Sequence, residues 1–315
     1  MNRTTFSIGV VLSVLGIGYS SSALTQDAEQ LLAEARDLAG SEWRTTVEFL
    51  CGPDPQPGNA AETAVMEPTQ IFDNLYAFGR SGAVVYAITT TEGIILIDSG
   101  YPDQVESVLA PGLTALGFSA DDVRYVIVAH GHRDHYGGSR HMQQEHGASI
   151  VLSAADWEFM EQYREGGPND PPDRDIEVQD GQPIVLGDTE VTPIFVPGHT
   201  PGAIGVIFDV QDGDTTHTAA MFGGTILISS RISDEGLNQY IDSLDRFAEA
   251  AAEHGADVEI QNHPIIDDMS EKLVELANRG ANDPHPFVVG EQAYQDFLGV
   301  ISACTQVELA RRSSN

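Results

Sequence analysis

The sequence predicts an α/β chain in which two β-sheets lie face to face with helices on the outside. Short β-branched runs and amphipathic stretches alternate in both halves, and no long linker separates the halves. A hydrophobic fraction of 41% over 315 residues is enough for one sizeable core.

Residues 1–23 read apart from the rest. Arg3 is followed by an apolar run over 6–17 and then by Ser21-Ser22-Ala23, small residues of the kind a signal peptidase accepts. The apolar run is too short to span a bilayer comfortably. The expectation is a signal peptide over 1–23 that is cleaved after Ala23, with an uncleaved anchor as the alternative. An N-terminal extension over 24–70 follows, and a catalytic domain over 71–315. Within the extension, residues 27–38 carry Ala and Leu at helical spacing. The Pro/Gly-rich stretch 51–58 cannot continue a helix.

In the body of the chain, residues 71–78, 83–89 and 93–98 read as three strands of a meander, and 102–116 as a helix broken at Pro111-Gly112 and ended by Gly117. Residues 123–128 are a buried strand, 139–146 a helix, 148–153 a strand and 154–163 a helix. The breaker-rich stretch 166–173 is a candidate lid. Strands are expected at 183–186, 190–196, 203–209 and 217–222, with Asp212-Gly213 marking a hairpin. Helices over 238–254 and 269–279 flank a strand at 258–262, and a last helix runs over 291–310.

With 15 Lys and Arg against 48 Asp and Glu, the formal net charge is −33. Such a surface repels nucleic acid and anionic membranes, which excludes both as partners once the leader is removed. Lys272 is the only lysine, a composition expected where high ionic strength screens self-repulsion. The oligomeric state is left open. Cys51 and Cys304 are the two cysteines. Their pairing in an oxidising compartment would close most of the chain into a loop, for about 4–5 kcal/mol in the chain-entropy model; two unrelated buried thiols are the alternative. A periplasmic or secreted location is expected.

The chemistry concentrates in Ala129-His130-Gly131-His132-Arg133-Asp134-His135-Tyr136-Gly137-Gly138. Three imidazoles and a carboxylate fall within six residues, on the loop that ends a buried strand. Packing these groups without a cation would crowd side chains that desolvate poorly, whereas zinc accepts all of them. Four ligands are too few for two ions. His199, on the Pro/Gly-rich turn Pro197-Gly198-His199-Thr200-Pro201-Gly202, and His263, directly after a strand, bring the set to six. His141, His146, His217, His254 and His285 read as ordinary surface or core residues.

The His-x-His-x-Asp-His order at 130–135, the later Pro-Gly-His-Thr-Pro-Gly and the final post-strand His resemble the metallo-β-lactamase-fold hydrolase superfamily. Ile97-Asp98-Ser99-Gly100 is similar to the family's first motif, whose Asp braces the metal loop. The resemblance implies the αβ/βα four-layer sandwich (metallo-β-lactamase fold) and two Zn2+, one held by His130, His132 and His199, the other by Asp134, His135 and His263. Most hydrolases of the superfamily place a bridging Asp between the last two metal histidines. Here that stretch reads Met221-Phe222-Gly223-Gly224-Thr225-Ile226, with neither that Asp nor a Cys. The chain thus resembles the third subclass of class B β-lactamases. That resemblance implies hydrolysis of the β-lactam amide of a small anionic substrate by a zinc-bound hydroxide, with Asp134 as a proton carrier. Tyr136, Thr225 and Ser229 are candidate substrate contacts, and Arg80 and Arg231 candidate cations for a substrate anion. A lactonase or other esterase or amidase of the same fold is the alternative, and a non-catalytic envelope metal-binding protein a further one.

Overall fold

The computed structural model describes residues 27–52, 64–227 and 231–314, so the expected leader lies outside the described residues. Its first sheet has seven strands in chain order. β1 (Val65–Phe72), β2 (Leu75–Arg80), β3 (Ala83–Thr90) and β4 (Gly93–Ile97) form an antiparallel meander, and β5 (Val123–Ile127), β6 (Ser149–Leu152) and β7 (Ile176–Glu177) extend it in parallel. The second sheet consists of β8 (Ile184–Leu186), β9 (Thr189–Phe195), β10 (Ile204–Asp212), β11 (Thr215–Met221) and β12 (Val258–Glu259), in the order β12-β11-β10-β9-β8. Only the β11–β12 pair in it is parallel.

Period-two alternation sorts the strand residues between cores. On β3, Val84, Tyr86 and Ile88 point between the sheets, against Ile204, Val206 and Phe208 of β10, while Val85 and Ala87 face the helices of the first sheet. Those helices are α3 (Ala110–Ala115), α4 (Arg133–Tyr136), α5 (Ser139–His146) and α6 (Ala154–Met160). The outer face of the second sheet is covered by α7 (Asp234–His254), which presents Leu237, Tyr240, Leu244, Phe247 and Ala251, and by α9 (Glu291–Ser313). α8 (Met269–Asn278) follows the His263 segment. Three apolar clusters therefore separate four layers, helix, sheet, sheet, helix. Each large side chain fully buried in them contributes about 1.5–3 kcal/mol relative to exposure.

Several elements differ from expectation. Residues 71–78 are not one strand: the chain turns at Asp73-Asn74, two turn formers, and makes the β1–β2 hairpin. The expected break at Pro111-Gly112 does not occur: a π-helical segment over Val105–Leu109 runs directly into α3, and the change from the wider to the ordinary turn falls next to Pro111, the residue that has no N–H to give. In the extension, α1 (Ala28–Ala39) agrees with the helical spacing of 27–38 and α2 (Arg44–Leu50) is additional to it; together they pack Leu31, Leu32, Ala35, Trp43 and Val47 into the same cluster as α7 and α9. Cys51 and Cys304 are joined in a disulfide that fastens α2 to α9. The 166–173 stretch is fastened too. Asp170 accepts from the Glu165 and Gly166 N–H groups at 2.9 and 3.1 Å, Arg140 donates to the Pro171 carbonyl at 3.3 Å, and Gln143 exchanges two bonds with Asp173. A lid motion would have to break these contacts.

Candidate metal centre

Six side chains converge at one edge of the sandwich, on segments that leave strands of both sheets. The chain leaving β5 carries His130 and His132, and α4 follows at once with Asp134 and His135. His199 lies on the turn after β9, and His263 on the segment after β12. These loops are stitched across the sheets: Ile204 N–H donates to the Ala129 carbonyl at 2.8 Å, Val84 N–H to that of Asn262 at 2.9 Å, and the Tyr86 hydroxyl to that of Gln261 at 2.7 Å.

His130, His132 and His199 form one group. His132 Nδ1 lies 3.0 Å from His199 Nε2, which lies 3.1 Å from His130 Nε2. Burial, reinforced by the neighbouring imidazoles, holds His130 and His199 well below the ordinary histidine range. Burial and His135 bring His132 down to about 4. Three neutral rings thus aim lone pairs at one point. Zn–N bonds of about 2.0–2.1 Å in a tetrahedral site place ligand nitrogens roughly 3.3 Å apart, so this donor set fits zinc.

Asp134, His135 and His263 form the second group. His135 Nδ1–H donates to Asp98 Oδ2 at 2.7 Å and His263 Nδ1–H to the Gly82 carbonyl at 2.6 Å, which leaves Nε2 of each ring as the donor atom. His135 Nε2 is buried without a hydrogen-bond partner and lies 3.4 Å from Asp134 Oδ2. An orphaned ring nitrogen facing a carboxylate is what a cation between them would satisfy.

Asp98 is the brace. It is fully buried, accepts from Ala129 N–H at 2.8 Å as well as from His135, and takes Asn262 Nδ2 at 3.3 Å. Its backbone has φ 61°, a left-handed conformation that costs a non-glycine residue on the order of 1–3 kcal/mol.

The two groups differ in charge. Burial opposes the imidazolium of His135, but Asp134 and Asp98 together outweigh it and raise the ring from 6.5 to about 10. Burial likewise opposes the Asp134 carboxylate, and His135 and His263 overcome it, holding that carboxyl far below its usual range. In the metal-free protein at pH 8, His135 is therefore expected as an imidazolium while His130, His132 and His199 are neutral. Because its folded value lies above its unfolded one, its contribution to apo stability is complete below about 6.5 and lost as pH rises through about 10. Ring 15N shifts of the apo chain check this; a neutral His135 at pH 8 would contradict it.

The candidate substrate contacts fall in different places. Tyr136 does not line the opening as expected: it is fully buried in the cluster between the first sheet and its helices, among Leu109, Met142 and Trp157. Its helical register, next to His135 on α4, turns it into the core. Thr225 is buried with its hydroxyl unpartnered. Ser229 lies outside the described residues. Arg80 faces the Gln104 amide, whereas the Arg231 charge acts on His132 and on Tyr163. The Phe159 ring, which no sequence pattern singles out, stands edge-on to His132 with centroids 5.4 Å apart. Gly224, in the stretch without an acid, has φ 93°, and a Cβ there would lie 2.7 Å from His199 Cβ.

The family model of the Metallo-beta-lactamase superfamily matches residues 78–252. The chain belongs to that superfamily. As a metallo-β-lactamase-fold hydrolase it is similar in structure to BJP-1, a subclass B3 metallo-beta-lactamase of Bradyrhizobium japonicum, with a TM-score of 0.69 and 26% identity over 81% of this chain and 98% of that one. In sequence it is 27% identical over 152 residues to an N-acyl homoserine lactonase of Bacillus cereus, covering 40% of this chain and 58% of that protein. It is also 27% identical over 150 residues to a hydroxyacylglutathione hydrolase of Methylococcus capsulatus, covering 47% and 52%. The chain spans a little over half the length of these two relatives.

Proposed function

We propose that this metallo-β-lactamase-fold hydrolase is an exported, binuclear zinc enzyme that opens the amide of a small, anionic β-lactam. One observation carries the reading. The six converging ligands are a His-His-His group beside an Asp-His-His group, and the stretch Met221-Phe222-Gly223-Gly224-Thr225-Ile226, where most of the superfamily carries a bridging Asp, contains no acid. The similarity to BJP-1 over nearly all of that enzyme's length supports it. The disulfide suits an oxidising compartment, and no described helix is long and apolar enough to cross a membrane.

His130 Nε2, His132 Nδ1 and His199 Nε2 would hold one zinc, and Asp134 with Nε2 of His135 and His263 the other. Two such ions supply Lewis-acid polarisation of the scissile carbonyl and a nucleophilic water at neutral pH. The protein does the rest. Asp98 and the Gly82 carbonyl keep the rings of His135 and His263 in the donor tautomer. Asp134 is the one carboxylate of the ligand set, with a quarter of its side chain exposed, so it can take the proton released by the attacking water. As the carbon–nitrogen bond breaks, the same carboxyl returns that proton to the leaving nitrogen. The buried, unpartnered Thr225 hydroxyl is the group this reading assigns to the substrate carboxylate, together with Ser229, which lies outside the described residues. Phe159 gives the His132 side of the site an apolar wall.

A lactonase is the second reading, favoured by the similarity to the Bacillus cereus enzyme. Turnover of a cephalosporin, a carbapenem and an N-acyl homoserine lactone by the zinc-loaded mature chain, with and without chelator, decides between them. Chelator-sensitive kcat/KM above ~10⁴ M⁻¹s⁻¹ on either β-lactam is the expected result. Efficient lactone opening with β-lactams untouched would overturn it in favour of the second reading.

A further inference from the structure

One buried acid outside both ligand groups holds their loops together. Asp156, in the first turn of α6, is fully buried. Its Oδ2 accepts from the Gly131 N–H at 2.8 Å and from the Thr200 hydroxyl at 2.6 Å, and its Oδ1 accepts from the Gly202 N–H at 2.7 Å. Gly131 lies between His130 and His132, and Thr200 directly follows His199. One carboxylate therefore spans the loop leaving β5 in the first sheet and the turn after β9 in the second. Ser153, which caps α6, adds a bond from its hydroxyl to the Gly202 carbonyl at 2.6 Å.

The fit around α6 is close on both sides. A Cβ on Gly131 would lie 2.9 Å from Met160 Cγ and 3.2 Å from the Asp156 carbonyl oxygen. One on Gly202 would lie 2.1 Å from Ser153 Oγ and 2.6 Å from the Asp156 nitrogen. Neither glycine has a positive φ, so what each supplies is space, one in each ligand loop, for the same turn of helix. Among the described residues no cation pairs with Asp156: its carboxylate accepts from two N–H groups and a hydroxyl. Burial pushes its carboxyl above the ordinary value, and the three bonds pull it back. An acid kept in so costly a place is held by the geometry it imposes on its donors. Gly131 and Thr200 are direct chain neighbours of ligands of the first group, and Gly202 lies three residues from His199; the nearest ligand of the second group, Asp134, is no chain neighbour of any of them and lies three residues from Gly131.

We propose that Asp156 is a positioning residue for the His130/His132/His199 group, fixing the separation of its two loops and so the zinc affinity of that group alone. The inference rests on the reading that both groups hold zinc, and not on which substrate is cleaved.

The test is Asp156→Asn in two backgrounds, His263→Ala, which leaves the first group whole, and His199→Ala, which leaves the second. The amide keeps the shape but turns an NH2 toward at least one donor. Zinc dissociation constants come from competition with a chromophoric chelator, without any activity assay. The expected result is a zinc affinity weaker by about 10–100-fold in the His263→Ala background, with less than a twofold change in the His199→Ala background. Equal losses in both, or no loss in the first, would overturn the proposal. Should Asp156→Asn fail to fold, Thr200→Val removes a single bond; a several-fold loss confined to the His263→Ala background supports the proposal, and any other pattern refutes it. A wild-type chain that takes up no zinc would refute the metal reading itself, and with it this inference. Two zinc ions bound normally with Asp156→Asn silent would refute only the inference.

Discussion

Under the proposed binuclear zinc reading, the His199→Ala chain is expected to retain one zinc instead of two and to turn over its substrate at least ~10³-fold more slowly. The stoichiometry follows from the geometry. His199 Nε2 is the atom within 3.0 and 3.1 Å of the other two ligand nitrogens of its group, so its loss reduces that group to two imidazoles. The second group is untouched, since Asp98, Gly82 and Asp134 make no hydrogen bond to His199. The rate loss follows from the worth of a Lewis acid at the reacting carbonyl, several kcal/mol, at about 1.4 kcal/mol per factor of ten. Metal analysis after gel filtration and turnover on the best substrate check the two halves separately. Two zinc ions per chain, or undiminished turnover, would sink the assignment of the first group.

Why this prediction was available from the sequence, and the Asp156 prediction was not, is a matter of distance along the chain. His130, His132, Asp134 and His135 share one loop, so their spacing is itself the signal. His199 and His263 each follow a strand on a segment that cannot pack as core, and the resemblance to the superfamily completes the set. Asp98 is read only through its motif, and its left-handed backbone is visible only in the fold. Asp156 meets its partners 25, 44 and 46 residues away. Ser153 caps the start of α6 by accepting from the Asp156 N–H. The carboxylate is used elsewhere.

The same reasoning accounts for the elements. Strands with a strict inward and outward alternation, such as β3 and β10, were legible because one sheet face must be buried against the other and the second against helices. The two-residue strand β7 and the seven-residue α2 are too short to show a period. β12 ends at Glu259 rather than at residue 262, because the chain leaves the ladder there: Asn262 bonds to Asp98 and to Val84 of the other sheet, and so delivers His263 to the site. A continued strand would have carried that histidine along the sheet edge.

Breaking the Cys51–Cys304 disulfide lowers the melting temperature of the zinc-loaded chain by roughly 10 °C. The bridge joins residues 253 apart, so the chain-entropy model puts its worth on the order of 5 kcal/mol. A chain of this size shifts by about 2 °C per kcal/mol. The loss acts first on α1 and α2. Trp43 Nε1–H donates to the Ala293 carbonyl at 2.8 Å and its ring packs on Phe297 at 4.8 Å, but the covalent tie is what keeps the end of α2 on α9 once those contacts fray. One contact carries the effect toward the metal centre: the Thr46 hydroxyl donates to the Ile266 carbonyl at 2.6 Å, three residues beyond His263. Reduction is therefore expected to weaken the zinc proposed for the second group before that proposed for the first, and calorimetry of the native and Cys304→Ser chains, read beside zinc retention, separates the two effects. A shift under ~2 °C would mean that the unfolded chain gains little freedom when the loop is opened, and that packing of α1 and α2 alone secures the end of the molecule.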